Sequence, residues 1–432
     1  MVVLIKTLQV ILALSVLIFI HELGHFMWAR IFHIRVEKFY LFFDIGGKAI
    51  FKFRRGGTEF GIGWLPLGGY CKIAGMIDES MDLEQMKQDP QPWEFRSHPA
   101  WQRLFVMAGG VLNNFIFAIL AFILIMDIWG EAHLGVKGNL VYPSELACEM
   151  GFRKGDEILS LDDYVPKNFW MIQADMARRE TRYATVRRGG DTLSLYIDHA
   201  MLGDIVNAPL LFDIALPFVV DSIQAGSPNT ILQSGDHVLA IDGQVFEFVQ
   251  DSREILAGLK GREAQALLVR GADTLTLPVQ VDTAGRIGVI LKMPEVERME
   301  YSFLEAVPAG WRTTWSTVGG YLRDLKLLAK PSTGAYKSVG SFIAIGQIFP
   351  SAWDWYQFLS LLALLSIMLA VMNLLPIPAL DGGHIVFTIF EMITGRKPSD
   401  RFMAAMQIVG LVLIMALMLL AFGNDITRFV IK

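Results

Sequence analysis

Four apolar stretches constrain this chain more than any other feature. They run over 4–28, 104–129, 356–376 and 403–422. Each is long enough to cross a hydrocarbon core of about 30 Å as a helix. Inside lipid a segment must satisfy its own backbone hydrogen bonds, which a helix does and an open strand does not. The expected fold is therefore a membrane protein with an α-helical core of four transmembrane helices. Apolar residues make up 53% of the chain, which suits several spans plus a soluble part. The first stretch reads as a retained span rather than a removable signal. Its only basic residue before the motif is Lys6, it lacks a small-x-small cleavage site, and it carries His21, Glu22 and His25.

The charge pattern narrows function and orientation. The net charge is −5 and no basic tract stands out, so a nucleic-acid partner is not expected. Cys71 and Cys148 are the only cysteines, too few for a disulfide framework or a cysteine metal site. Arg30, Arg35, Lys38, Lys48, Lys52, Arg54 and Arg55 follow the first span, and Arg396, Lys397 and Arg401 lie between the third and fourth. Cytoplasmic loops carry such an excess of Lys and Arg. Both termini and the long segment between spans two and three are thus expected outside, with the two basic loops inside.

Between about 131 and 295 the apolar runs are short and broken by Gly, Asp and Ser, which reads as strands and turns. Two parts of this segment resemble each other. Gly155-Asp156 is followed by Glu-Ile-Leu-Ser-Leu-Asp-Asp, and Gly235-Asp236 by His-Val-Leu-Ala-Ile-Asp-Gly, at an offset of 80 residues. That offset implies two copies of a small domain rather than a solenoid. The pattern resembles the PDZ domain, with copies over 131–205 and 206–295. Asp163 replaces the turn glycine in the first copy. PDZ domains bind extended peptides by strand addition at a sheet edge. Two small domains that only space or shield the core would show the same pattern.

The chemistry concentrates at His21-Glu22-Leu23-Gly24-His25, near the end of the first span. Residues i and i+4 share a helix face, so both imidazoles can address one metal, with Glu22 beside it to act on a water. Ionisable residues in an apolar helix are costly and call for partners or a function. Catalytic zinc sites usually take three protein ligands. His33 does not fit a third-ligand spacing. Asp381, in Asn373-Leu-Leu-Pro-Ile-Pro-Ala-Leu-Asp381-Gly-Gly-His384, fits better, because prolines and glycines end the third span there. The expected topology brings it to the inner side, where His21 lies roughly 25 Å along span one. His384 is a rival ligand or a neighbour of the site. Asn373 is a candidate donor to a substrate carbonyl or oxyanion. A membrane metal transporter would leave the Glu between two metal-spaced histidines unexplained, and an inactive scaffold would make Glu22 dispensable.

Taken together, the first-span His-Glu-x-x-His, the Asn-x₇-Asp-Gly of span three, the PDZ-like pair and the four spans resemble the bacterial site-2 protease family, of the regulator-of-sigma-E protease type. The resemblance covers nearly the whole chain. It implies an intramembrane zinc metalloprotease of the bacterial cytoplasmic (inner) membrane. Zinc would sit on His21, His25 and Asp381, with Glu22 as general base. The implied substrates are single-span membrane proteins of the anti-sigma-factor kind and remnant signal peptides. Gly110-Val-Leu-Asn-Asn114 is similar to the family's Gly-x-x-x-Asn motif. The segment from Gly57 to Tyr70 is similar to its membrane-associated β-region, a hairpin of 49–54 and 58–64 whose free edge would hold substrate. Asn114, Gly61, Gly63, Gly68 and Gly69 are accordingly expected to bind substrate. The expected organisation is a first span over 1–30, the β-hairpin region over 31–101 and a second span over 102–130. After the PDZ-like domains come a linker with an amphipathic segment over 296–355, a third span over 356–384, an inner loop over 385–402 and a last span over 403–432. Three departures from the family pattern stand out: Met368 where an Asn is expected, Gly340-Ser341 in place of Gly-Pro, and a long stretch from Asp78 to Arg96.

Overall fold

The structure is a computed structural model that describes residues 1–66, 68–76 and 89–429. Most of the long stretch after Asp78 thus lies outside the described residues. The chain divides into two compact units. One comprises Met1–Glu131, Glu300–Ala329 and Tyr336–Lys432, and the other Ala132–Met299 with Lys330–Ala335.

In the first unit, helix α1 (Val2–Ile31) ends where His33 turns left-handed, at φ 61°. A four-stranded sheet follows, made of β1 (Val36–Leu41), β2 (Ala49–Arg55), β3 (Thr58–Gly63) and β4 (Tyr70–Ile73), in the order β2-β3-β1-β4. The hairpin β2–β3 turns at Gly56 and Gly57, both at positive φ as a tight turn requires. Strand β3 runs parallel to β1, and β4 antiparallel to it, which leaves β2 and β4 as the two edges. Edge β2 exposes Ile50, Phe51 and Phe53. Helix α2 (Ala100–Trp129) then crosses α1 at glycines. A Cβ on Gly24 would fall 2.1 Å from the Gly109 carbonyl oxygen, so the backbones touch. Lipid supplies no hydrophobic force between helices, and close packing of small residues takes its place.

The second unit holds two copies of one layout. The first copy contains β5 (Val141–Pro143), α3 (Glu145–Glu149), β6 (Glu157–Leu161), α4 (Ile172–Arg179), β7 (Tyr183–Arg188), β8 (Asp191–Tyr196), α5 (Leu202–Asn207) and β9 (Phe212–Ile214). The second contains β10 (Val220–Ile223), β11 (His237–Ile241), β12 (Gln244–Val245), α6 (Val249–Gly258), β13 (Glu263–Arg270), β14 (Asp273–Gln280) and β15 (Val289–Leu291). In each, an antiparallel meander (β6-β7-β8, or β11-β13-β14) accompanies a two-stranded ribbon (β5–β9, or β10–β15) and a helix that precedes the meander's second strand (α4, or α6). The Gly-Asp signature has a physical origin. Asp156 and Asp236 are fully buried, and each takes two bonds from an arginine ending the next long strand. These are Arg188 at 2.7 and 2.8 Å and Arg270 at 2.7 Å twice. Each aspartate also caps a turn, accepting from the backbone N–H of Arg153 or Gln233. The glycine before it sits at φ 82° or 90°.

Back in the first unit, α7 (Phe303–Leu328) is amphipathic. It packs Ala306, Ala309 and Gly310 inward and exposes Leu304, Val307, Trp311, Trp315 and Leu322. A short helix α8 (Phe342–Ile348) begins at Ser341. The fully buried Asp425 accepts from the Ser341 N–H and hydroxyl and from the Ala344 N–H, a bond network that a proline at 341 would not make in full. Helix α9 (Trp355–Leu374) carries Met368 among packed apolar side chains. Segment 385–402, expected as a loop, is largely helix: α10 covers Asp381–Thr394, with Ile385 and Thr388 on its buried face and Gly395 capping it in the left-handed conformation. Helix α11 (Asp400–Phe429) closes the chain. Among the described residues, four helices are long and apolar enough to cross a membrane: Val2–Ile31, Ala100–Trp129, Trp355–Leu374 and Arg401–Arg428.

Candidate metal centre

His21 and His25 stand one turn apart on the buried face of α1, at 8% and 7% exposure. Facing them, α2 offers no side chain at Gly110: a Cβ there would sit 2.5 Å from His25 Nε2 and 2.6 Å from His21 Cε1. The glycine makes room for two imidazoles between touching helices.

Each ring is steered through its other nitrogen. His25 Nδ1 lies 2.8 Å from the Val106 carbonyl oxygen, which requires Nδ1 to carry the proton and leaves Nε2 with its lone pair. His21 Nδ1 lies 3.2 Å from the side-chain amide nitrogen of fully buried Asn114, whose Oδ1 has no partner. Turning that amide by half a revolution brings its oxygen to face the ring. Oδ1 then accepts from Nδ1–H, and His21 Nε2 is freed in the same way.

The third group arrives from the other end of the chain. Helix α9 stops, the chain folds over Pro376 and Pro378, and α10 starts at Asp381. Gly382 and Gly383 permit this turn, because a Cβ on either would lie 2.1 Å from the Leu375 oxygen or 2.5 Å from Pro378 Cα. Asp381 Oδ2 comes within 3.2 Å of His21 Nε2 and 3.4 Å of His25 Nε2, and the two Nε2 atoms are 3.3 Å apart. A tetrahedral zinc with bonds of about 2.0–2.1 Å separates its ligand atoms by about 3.3 Å. Asp381 Oδ2 is buried and makes no hydrogen bond. Three converging donors, two nitrogens and one hard oxygen, within 4.8 Å of one another, match a zinc site.

The remaining candidates fall around this cluster. Glu22 is adjacent on α1, and its carboxylate accepts from the backbone N–H of Cys71 on edge strand β4. The Asn373 amide lies 3.3 Å from His21 Nε2, at the end of α9. His384 is buried one turn further along α10, and neither it nor His33 belongs to the three-residue cluster. Neither Cys71 nor Cys148 is in a disulfide.

The five residues expected to bind substrate lie in close-packed surroundings. Asn114 is fully enclosed and engages His21. The places of the missing side chains at Gly61, Gly63, Gly68 and Gly69 are filled by the Tyr40 ring, the Phe43 backbone, the Phe43 ring and Ile18. These glycines serve close packing, and Gly61 and Gly63 lie on β3, which has both edges paired. The groups that sequence reasoning missed, the Val106 carbonyl and the Cys71 N–H, are backbone atoms with no side-chain signal.

The model of peptidase family M50 matches residues 9–417. This chain belongs to peptidase family M50. The chain is 28% identical to the regulator of sigma-E protease RseP of Salmonella typhimurium, over 97% of each protein. It is 29% identical, over 98% of each, to a Neisseria meningitidis protein whose name describes it as a zinc metalloprotease. The M50 chain is thus a zinc metallopeptidase of the site-2 protease type, built on membrane-spanning helices.

Proposed function

We propose that this M50 protease hydrolyses peptide bonds of single-span membrane proteins at the inner side of the bacterial cytoplasmic membrane. The observation that carries this is the trio His21, His25 and Asp381 at mutual separations of 3.2–3.4 Å, with Glu22 adjoining. These three side chains would hold zinc, which when bound polarises a scissile carbonyl and lowers the pKa of water toward about 7. Glu22 takes the proton of the attacking water and passes it to the leaving amine. Its bond to the Cys71 N–H keeps the carboxylate aimed. Asn373 offers its amide to the carbonyl oxygen as charge builds there. Asn114 and the Val106 carbonyl hold the two rings, as outer partners do in metal sites.

A substrate helix hides its peptide bonds and has to unwind before it can be cut. Strand β4 is a sheet edge that reaches Glu22, so an unwound segment laid beside it meets the base directly. The favoured substrates are anti-sigma-factor-like proteins, by analogy with the relative named for sigma-E regulation, and remnant signal peptides. The basic loops put both termini and the two PDZ-like copies outside. There the copies would exclude substrates whose outer domain has not been trimmed.

The test is cleavage of a tagged single-span substrate by purified protein, wild type beside Glu22→Gln, with zinc measured on both. A general base contributes about 10²–10⁴-fold, so the variant should keep its zinc and lose activity on that scale. Equal cleavage by both would overturn the assignment.

A further inference from the structure

The two copies of the outer repeat differ in one respect that their shared layout does not require. In the first copy, ribbon β5–β9 pairs Asp213 with Tyr142 and Phe212 with Pro143. The Ser144 N–H donates to the Leu211 carbonyl and the Ala215 N–H to the Leu140 carbonyl. Antiparallel pairs alternate in this way, so the backbone groups of Phe212 and Ile214 point away from β5, along the free edge of β9. An added peptide strand would bond at those groups.

Part of that edge is occupied by the other copy. Gln250, on the first turn of α6, donates from Nε2 to the Ile214 carbonyl at 2.6 Å and to Asp213 Oδ2 at 3.0 Å. The Ile214 N–H donates to Asp213 Oδ1 at 2.9 Å. Both outward groups of Ile214 are thus taken. The next residue, Asp251, accepts from the Tyr142 hydroxyl at 2.9 Å and from Lys154 Nζ. Lys154 also lies 4.8 Å above the Tyr142 ring, and Phe248 meets that ring edge-on. Consecutive residues of α6 therefore grip both members of one cross-strand pair, Asp213 and Tyr142. The corresponding strand of the second copy, Val289–Leu291, has no side chain bonded to its backbone among the described residues.

We propose that the first turn of α6 is a built-in stopper on the strand-addition edge of the first copy, so that an extended peptide joins Phe212–Ile214 only after Gln250 has withdrawn. The contact is a lock between the copies: a chain segment that adds to this edge has to part them, and anything that parts them exposes the edge. Gln250 suits the role because its amide satisfies a backbone carbonyl as a neighbouring strand would, yet it leaves by rotation of one side chain.

The full-length protein in lipid nanodiscs tests this, with an eight-residue apolar peptide carrying a central benzophenone as the probe. Crosslinks to residues 205–214 are located by mass spectrometry. Gln250→Ala and Gln250→Glu both remove the bond to Ile214, and the second keeps the side-chain length. Tyr142→Phe loosens the grip without touching β9. Loss of one or two such bonds should raise crosslinking at this edge by about ten-fold over wild type. A disulfide between Asp213→Cys and Gln250→Cys should abolish it, and reduction should restore it. Wild-type crosslinking as strong as that of Gln250→Ala, undiminished crosslinking in the oxidised pair, or no crosslinking in any released variant would each overturn the proposal.

Discussion

Asp156 and Asp236 in one unit and Asp381 in the other are treated in opposite ways. In the two-copy unit, Asp156 and Asp236 have both oxygens satisfied by an arginine fork and a backbone N–H. In the membrane unit, Asp381 Oδ2 is buried beside two imidazole nitrogens and makes no hydrogen bond. A satisfied buried ion pair is a structural part, costly to break from one side. An unsatisfied buried carboxylate beside two free nitrogen lone pairs opposes folding unless a cation joins it. The comparison separates residues that hold the fold from residues that the fold holds for chemistry.

Substitution of the two kinds of aspartate sharpens the contrast most. Asp381→Asn should lower cleavage by about 10³, since a metal centre supplies several kcal/mol of transition-state stabilisation. In metal-free protein the same change should leave thermal stability unchanged or raised. Equal destabilisation of the metal-free chain would erase the distinction. Asp236→Asn should do the reverse. It strands Arg270 and destabilises the second copy, read by amide exchange of Glu263–Arg270, with zinc content unaffected. A smaller effect is expected at Asn114→Ala, which removes the partner of His21 Nδ1 and should weaken zinc affinity about ten-fold. A competition titration with a chelator measures it.

The smallest effect concerns pH. Burial pushes the Asp236 carboxyl up, but the Arg270 guanidinium and the Gln233 N–H outweigh it and hold the group below the usual carboxylate range. Because the folded value lies below the unfolded one of about 3.9, this contribution is complete above that pH and is lost as pH falls through the folded value. Acid should therefore loosen Glu263–Arg270 below about pH 4 in wild type, and Asp236→Asn should remove that dependence. An unchanged acid profile in the variant would show that the pair is not its source.

Much of this organisation was legible in the sequence. The four apolar stretches lie within or close to Val2–Ile31, Ala100–Trp129, Trp355–Leu374 and Arg401–Arg428, because a hydrocarbon-length apolar run has few other outcomes. The 80-residue offset of the Gly-Asp pairs marked two copies, since a buried aspartate with an arginine partner has to recur wherever the fold recurs. Other features were hidden because they depend on long-range pairing. The parallel alignment of β1 with β3, which makes β4 an edge, has no local signature. The packing of Tyr40, Phe43 and Ile18 against Gly61, Gly63, Gly68 and Gly69 likewise has no local signature. Segment 385–402 has a basic end, Arg396, Lys397 and Arg401, that reads as a loop, while its apolar start continues α10. Gln250 carries no motif at all.

The central claim is that His21, His25 and Asp381 form a zinc site. It is tested most directly by zinc content per chain in full-length protein in nanodiscs, after dialysis against a weak chelator. The variants to compare are wild type, Glu22→Gln and His25→Ala. The account predicts one bound zinc in wild type and in Glu22→Gln, and none in His25→Ala. Zinc retained in full by His25→Ala, or absent from wild type, would contradict it.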